Sequence, residues 1–180
     1  HPLGKNLIGS FYQPKGVLID TRALVTLDAR GVISGMGEAV KHGMIRDESF
    51  FSFIEQHLES IMRFEAPDGI MERFIAWNCR IKAAVVAEDE RESGVRAILN
   101  YGHTVGHALE AVTGYRRFAH GEAVILGMIA AGRVAVMKGL MSACDFDRQN
   151  ALLKRVGLRS DTVGIGVGPV LDAMTRDKKV

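Results

Sequence analysis

From Asp47 onward the apolar residues recur every three or four positions, and that spacing restricts the chain to packed amphipathic helices. Residues 47–64 place Phe50, Phe51, Ile54, Leu58, Ile61 and Met62 on one stripe, with Asp47 as the N-cap. Residues 68–90 repeat the pattern with Ile70, Phe74, Ile75, Ile81 and Val85, capped by Asp68. Further helices are predicted over 96–113, 121–139, 146–156 (capped by Asp145 and stopped at Gly157) and 168–176. Before them, Pro2, Gly4, Gly9, Pro14 and Gly16 mark a loop, and "GVLIDT" (16–21) reads as a strand or extended segment. The expected fold is mainly α, a bundle of six or seven helices behind a short N-terminal strand or loop segment.

At 180 residues and 47% hydrophobic, the chain is large enough to bury a core. A net charge of +2 with no basic run gives a nucleic-acid role no support. The most apolar run, 123–132, is bracketed by Glu122 and Arg133, so it fits a buried helix and no membrane role is expected. Cys79 and Cys144 match no metal or redox spacing and read as reduced thiols, consistent with a cytoplasmic location. "GIGVGP" (164–169) and "GMGEAV" (35–40) both lack the spacing of a nucleotide-binding loop. The chain opens at His1 without a methionine and stops at "RDKKV", which is expected of a fragment of a longer enzyme.

Three of the six histidines fall within "ILNYGHTVGHALEAVTGYRRFAHGEAV" (98–124). His103 and His107 lie one helical turn apart, and on a continuous helix Arg96, Asn100 and Glu110 share their face. One reading is a solvated polar face. The other is a metal or catalytic face, because burying such groups without partners is costly. Spacing nominates His103 and His107, then His120 beside Gly121, with Glu38, next to Gly35 and Gly37 and one turn before Lys41, as a remote carboxylate. The zinc-protease motif HExxH is absent, since position 104 is threonine. His42 and His57 have no motif partner and are expected at the surface or the core edge.

Five segments in order, "HPLGKNLIGSFYQP" (1–14), "GMGEAVKHG" (35–43), "VRAILNYGHTVGHALE" (95–110), "HGEAV" (120–124) and "DKK" (177–179), resemble 3-dehydroquinate synthase. The resemblance covers essentially the whole chain and implies the C-terminal, mostly helical half of that two-domain enzyme. It implies that residues 1–30 are a linker shared with an NAD-binding domain and that 31–180 are the metal- and substrate-binding domain. The family converts 3-deoxy-D-arabino-heptulosonate 7-phosphate to 3-dehydroquinate and phosphate, in the shikimate pathway, with NAD oxidising and then re-reducing a ring position. By resemblance the metal ligands, for Zn2+ or Co2+, are Glu38, His103 and His120. His107 instead faces the substrate, with Lys41, Lys82, Arg96 and Asn100 as further catalytic residues. Asn6, Lys178 and Lys179 are implied in substrate binding. Lys5 and Ala23, Leu24, Val25, Thr26 and Leu27 are implied in NAD binding. A homodimer is implied for the full-length enzyme.

The family usually reads "TLPxRE" where this chain has "TLDARG" (26–31). Asp28 for proline and Gly31 for an acidic residue lead us to expect a looser turn and one missing polar cofactor contact. The alternatives are another sugar-phosphate cyclase, of deoxyinosose or valiolone type, or a non-catalytic helical domain with a structural metal. Lys82, Arg96 and His107 together favour dehydroquinate synthase, because a carboxylate-bearing substrate needs cations.

Overall fold

The computed structural model describes residues 8–9, 12, 14–90, 94–158 and 162–176. Among them, α1 spans Ala29–Arg46, α2 Glu48–Met62, α3 Ile70–Glu88, α4 His103–Val112, α5 His120–Met137, α6 Ala143–Val156 and α7 Val167–Met174. Two 3-10 helices, Thr21–Thr26 and Val95–Asn100, precede α1 and α4.

Polar caps and left-handed glycines set the boundaries. Asp47 accepts the Phe50 N–H at 3.1 Å, and its second oxygen takes Trp77 Nε1–H at 2.8 Å, tying the start of α2 to α3. α3 starts behind Gly69 at φ 80°, not at Asp68. Ser142, not Asp145, caps α6 by accepting the Asp145 N–H, and Gly157 ends it at φ 86°.

Three expectations need correction. No strand forms among the described residues. Segment 16–20 is irregular, and Asp20 caps a 3-10 helix instead. Val17 and Leu18 are exposed, and an extended segment with no strand to pair with has nowhere to place its backbone bonds. The helix expected over 96–113 is broken: Gly102, at φ 81°, separates a 3-10 turn from α4. Arg96 and Asn100 therefore do not share a helical face with His103. Finally, α1 is a full helix that the apolar pattern did not mark, because Gly35, Gly37 and Gly43 interrupt its stripe.

The main core joins α1, α2, α3, α5 and α6 through residues such as Val40, Phe50, Ile54, Leu58, Ile125, Met128 and Leu152. A satellite cluster of Leu109, Phe118 and Ala123 lies where α4, α5 and α7 meet. By length and composition α5 is apolar enough to cross a bilayer, yet it is packed against α1, α4 and α6 as a core helix.

α5 approaches its neighbours at backbone distance. A Cβ on Gly127 would lie 1.8 Å from Gly102 O, and one on Gly121 would lie 2.0 Å from Ser34 O. Both obstacles are backbone, so relief requires moving a whole helix. Gly127→Ala is expected to cost ~3 kcal/mol or more of unfolding free energy, measured in urea, where a helix-interior glycine to alanine change otherwise stabilises.

Candidate active site

The α1–α5 crossing decides where the charged groups stand. Gly121 N–H donates to Ser34 Oγ at 2.9 Å, so the first turn of α5 is pinned onto α1. Glu122, 4% exposed at its side chain, accepts the Ala119 N–H at 2.7 Å and two bonds from Arg30, Nε at 3.0 Å and Nη2 at 2.7 Å. Arg30 also donates to Arg117 O. His120, the first residue of α5, is thereby held over Glu38, one turn beyond Ser34 on α1.

Glu38 is where the helices converge. Its Oε1 lies 3.7 Å from His103 Nε2 and 3.9 Å from His120 Nε2. Its Oε2 accepts from Lys41 Nζ at 2.6 Å. Oε1 itself is buried and accepts no hydrogen bond. Each imidazole has its other nitrogen engaged: His103 Nδ1 donates to Tyr101 O at 3.3 Å, and His120 Nδ1 to Glu110 Oε2 at 3.1 Å. Both Nε2 atoms are thus left to face the Glu38 oxygen. His107 stands one turn along α4, its ring 5.3 Å from that of His103 and 5.8 Å from that of His120. The ligating atoms of His103, His107 and His120 lie within 4.8 Å of one another. Two triads therefore share His103 and His120, one completed by Glu38 and one by His107.

The charge states follow from burial. Burial and the nearby Lys41 ammonium push His103 down to about 4 against the pull of Glu38, so the ring is neutral at pH 7. For Glu38, burial alone raises the carboxyl, but the Lys41 ammonium bonded to it outweighs burial and holds it below its ordinary value. A carboxylate with one orphaned buried oxygen, facing two imidazole nitrogens, is a set of donors that could hold a zinc or cobalt ion, as could the three histidines.

The other expected residues divide. Lys41 is buried, paired to Glu38. Asn100 is half-buried at the end of the second 3-10 helix, which packs against α1 and α3. Arg96, in the same element, donates from Nη1 to Glu90 O at 2.7 Å. Lys82 is exposed on α3. Ala23 to Leu27 form the first 3-10 helix and its C-cap, where Val25 and Leu27 are exposed. Lys5, Asn6, Lys178 and Lys179 lie outside the described residues. His42 corrects an expectation. It is buried, not superficial, and donates from Nδ1 to Asn78 Oδ1 at 2.5 Å, while burial lowers its pKa. At Asp28, where a looser turn is expected, Oδ1 accepts the Gly31 N–H at 2.7 Å and caps α1. Clefts of about 810 and 500 Å³ lie elsewhere, bordered by Tyr101 among others, and neither is lined by Glu38 or the three clustered histidines. The cluster faces outward, with His120 43% exposed.

The Glu122 clamp is testable apart from any ligand. Glu122→Gln keeps the volume but weakens three charge-assisted bonds at a buried site, and is expected to cost about 1–3 kcal/mol in urea unfolding. Glu48, 80% exposed and paired to Arg148, is the control: Glu48→Gln is expected to change stability by no more than about 0.5 kcal/mol.

The model of the 3-dehydroquinate synthase C-terminal region matches residues 35–180, and that of the N-terminal region matches residues 1–34. The 3-dehydroquinate synthase of Geobacter sp. (strain M21) is 48% identical over 180 residues, covering 100% of this chain and 49% of that protein. That of Desulforamulus reducens is 46% identical, covering 99% and 50%. The chain spans about half the length of the relatives it matches. Among solved structures, a 2-epi-5-epi-valiolone synthase from Streptomyces hygroscopicus, with NAD+ and Zn2+ bound, shares the fold at a TM-score of 0.84 and 22% identity, over 95% of this chain and 47% of that one. A 2-deoxy-scyllo-inosose synthase complexed with carbaglucose-6-phosphate, NAD+ and Co2+ aligns at a TM-score of 0.79 and 32% identity, over 97% and 48%. An all-helical unit of this length, matched along its whole sequence, is about half of such an enzyme, and the chain belongs to the 3-dehydroquinate synthase family.

Proposed function

We propose that this chain is the metal- and substrate-binding half of a 3-dehydroquinate synthase, acting on 3-deoxy-D-arabino-heptulosonate 7-phosphate to give 3-dehydroquinate and phosphate. The observation that carries it is the orphaned Glu38 Oε1 facing Nε2 of His103 and His120. Relatives at 46–48% identity carry that activity in their names, whereas the inosose synthase is 32% identical, which favours the dehydroquinate reading over another cyclase.

In this reading Glu38, His103 and His120 hold Zn2+ or Co2+. The bound ion supplies a Lewis acid for the hydroxyl to be oxidised and the carbonyl that replaces it, and NAD supplies the reversible hydride acceptor. Lys41 balances Glu38 Oε2, leaving Oε1 for the metal. His107, half-buried beside both ligands, holds or passes a proton near the departing phosphate. Lys82, Arg96 and Asn100, with Asn6, Lys178 and Lys179, supply cations and amides for the substrate's carboxylate, hydroxyls and phosphate. Lys5 and residues 23–27 form one wall of the NAD site.

Assigning Glu38 and not His107 as the third ligand gives a direct test. Zinc content, measured by plasma emission, is expected near zero in Glu38→Ala, His103→Ala and His120→Ala, and near the unsubstituted level in His107→Ala. Loss of zinc in His107→Ala equal to the other three would overturn the assignment.

Hydride transfer needs the nicotinamide held ~3–3.5 Å from the substrate carbon, and one wall of a cleft cannot do that. The 180-residue chain alone is therefore expected to fold and take up zinc but to release no phosphate from the heptulosonate phosphate with NAD present. Fusion of a relative's N-terminal half upstream of His1 is expected to restore turnover. Substantial phosphate release by the chain alone would refute the half-enzyme reading.

A further inference from the structure

His120 differs from its fellow donor His103 in what surrounds it. His103 is buried, and packing restricts its ring. His120 is 43% exposed and is the first residue of α5, where neither burial nor a preceding helical turn fixes its rotamer. Its ring packs against those of His103 and His107, and the hydrogen bond that orients it goes to a carboxylate. Glu110 sits two turns after His103 on α4, its side chain 4% exposed, and its Oε2 lies 3.1 Å from His120 Nδ1. A carboxylate oxygen only accepts, so Nδ1 carries the proton, and the lone pair is on Nε2, the atom that faces Glu38 Oε1 at 3.9 Å.

Burying a carboxylate is expensive unless it is well partnered, and α4 could satisfy the satellite core with an apolar residue at this position. We infer that Glu110 is the positioning residue of the metal centre: it fixes the tautomer and direction of His120, so that Nε2 is presented to the ion before the ion arrives. This rests on reading His120 as a ligand. Helices α4 and α5 thus share the work. α4 supplies one ligand, His103, and, two turns on, the group that aims the ligand of α5.

The test is a double-mutant cycle read by metal affinity, with the metal-free protein titrated with Zn2+ against a chromophoric chelator. Glu110→Gln, which keeps shape and one acceptor oxygen, is expected to weaken Zn2+ binding about ten-fold, and Glu110→Ala up to about a hundred-fold. In a His120→Ala background, which loses its zinc on purification and is titrated at the higher Zn2+ concentrations its weaker site needs, neither change is expected to weaken binding further, because the group it aims is gone. If Glu110→Ala fails to fold, as judged by circular dichroism, Glu110→Gln decides alone. Unchanged affinity in Glu110→Gln, or an equal loss with and without His120, overturns the inference while leaving the ligand set standing. Unchanged affinity in His120→Ala itself overturns the ligand reading, and this inference with it.

Discussion

The close packing of α5 against both α1 and α4 governs the rest of the structure. Gly121 sits on the Ser34 carbonyl, Gly37 on the Gly121 carbonyl, and Gly127 on the Gly102 carbonyl. Each contact excludes any side chain, so the three helices meet at distances that ordinary ridge-and-groove packing does not allow. Glu38, His103 and His120 are carried on those three helices. Their separations of 3.7 and 3.9 Å are therefore set by glycines that take no part in the chemistry. A methyl group at Gly121 or Gly127 acts on the site through the backbone.

The junction is costly in another way. Lys41, His42, His103, Glu110 and Glu122 are all buried. Replacing such a group of charges with apolar residues is often neutral or stabilising, so their presence is better explained by function than by folding. The partners are also ordered in layers. Lys41 answers one Glu38 oxygen, Tyr101 O and Glu110 answer the outer nitrogens of the two histidines, and Arg30 answers Glu122, which holds the loop before His120. Among the described residues of this junction, the buried atom without a hydrogen-bond partner is Glu38 Oε1, at the centre. Burial keeps His103 neutral far below pH 7, so its lone pair needs no deprotonation step before a cation binds.

Periodicity made α2 and α3 legible because each carries an apolar stripe against the core, and α5 was legible as a long run that is apolar on nearly every side. It failed on α1, where the same glycines that permit close approach delete the apolar positions a pattern search needs. It also failed at Gly102. A glycine within a helical pattern reads as a weak helix position, and only its left-handed φ reveals a break that removes Arg96 and Asn100 from the histidine face. Histidine spacing brought His103, His107 and His120 together correctly but had no means of choosing among them. That choice depends on Glu38, more than 60 residues upstream, and on hydrogen bonds to the outer ring nitrogens. The sequence leaves His42 open between surface and core edge because its partner, Asn78, is on α3 and no local motif announces the pair.

The start of α1 is held by a device of its own. Relatives are expected to carry proline where this chain has Asp28 and an acidic residue where it has Gly31. Proline fixes φ for entry into a helix, and an acid in the first turn offsets the helix dipole. Asp28 replaces both devices with one: its carboxylate caps the Gly31 N–H and brings negative charge to the same end. Gly31 suits that role, since a Cβ there would crowd Asp28 Oδ1 at 3.1 Å. Asp28 and Gly31 are thus fitted to each other, and together they hold the N-terminus of the helix that carries Arg30, Ser34, Glu38 and Lys41. Because those four residues fall on successive turns, any slip at Asp28 would move the clamp on Glu122, the seat of Gly121 and the carboxylate at the centre together.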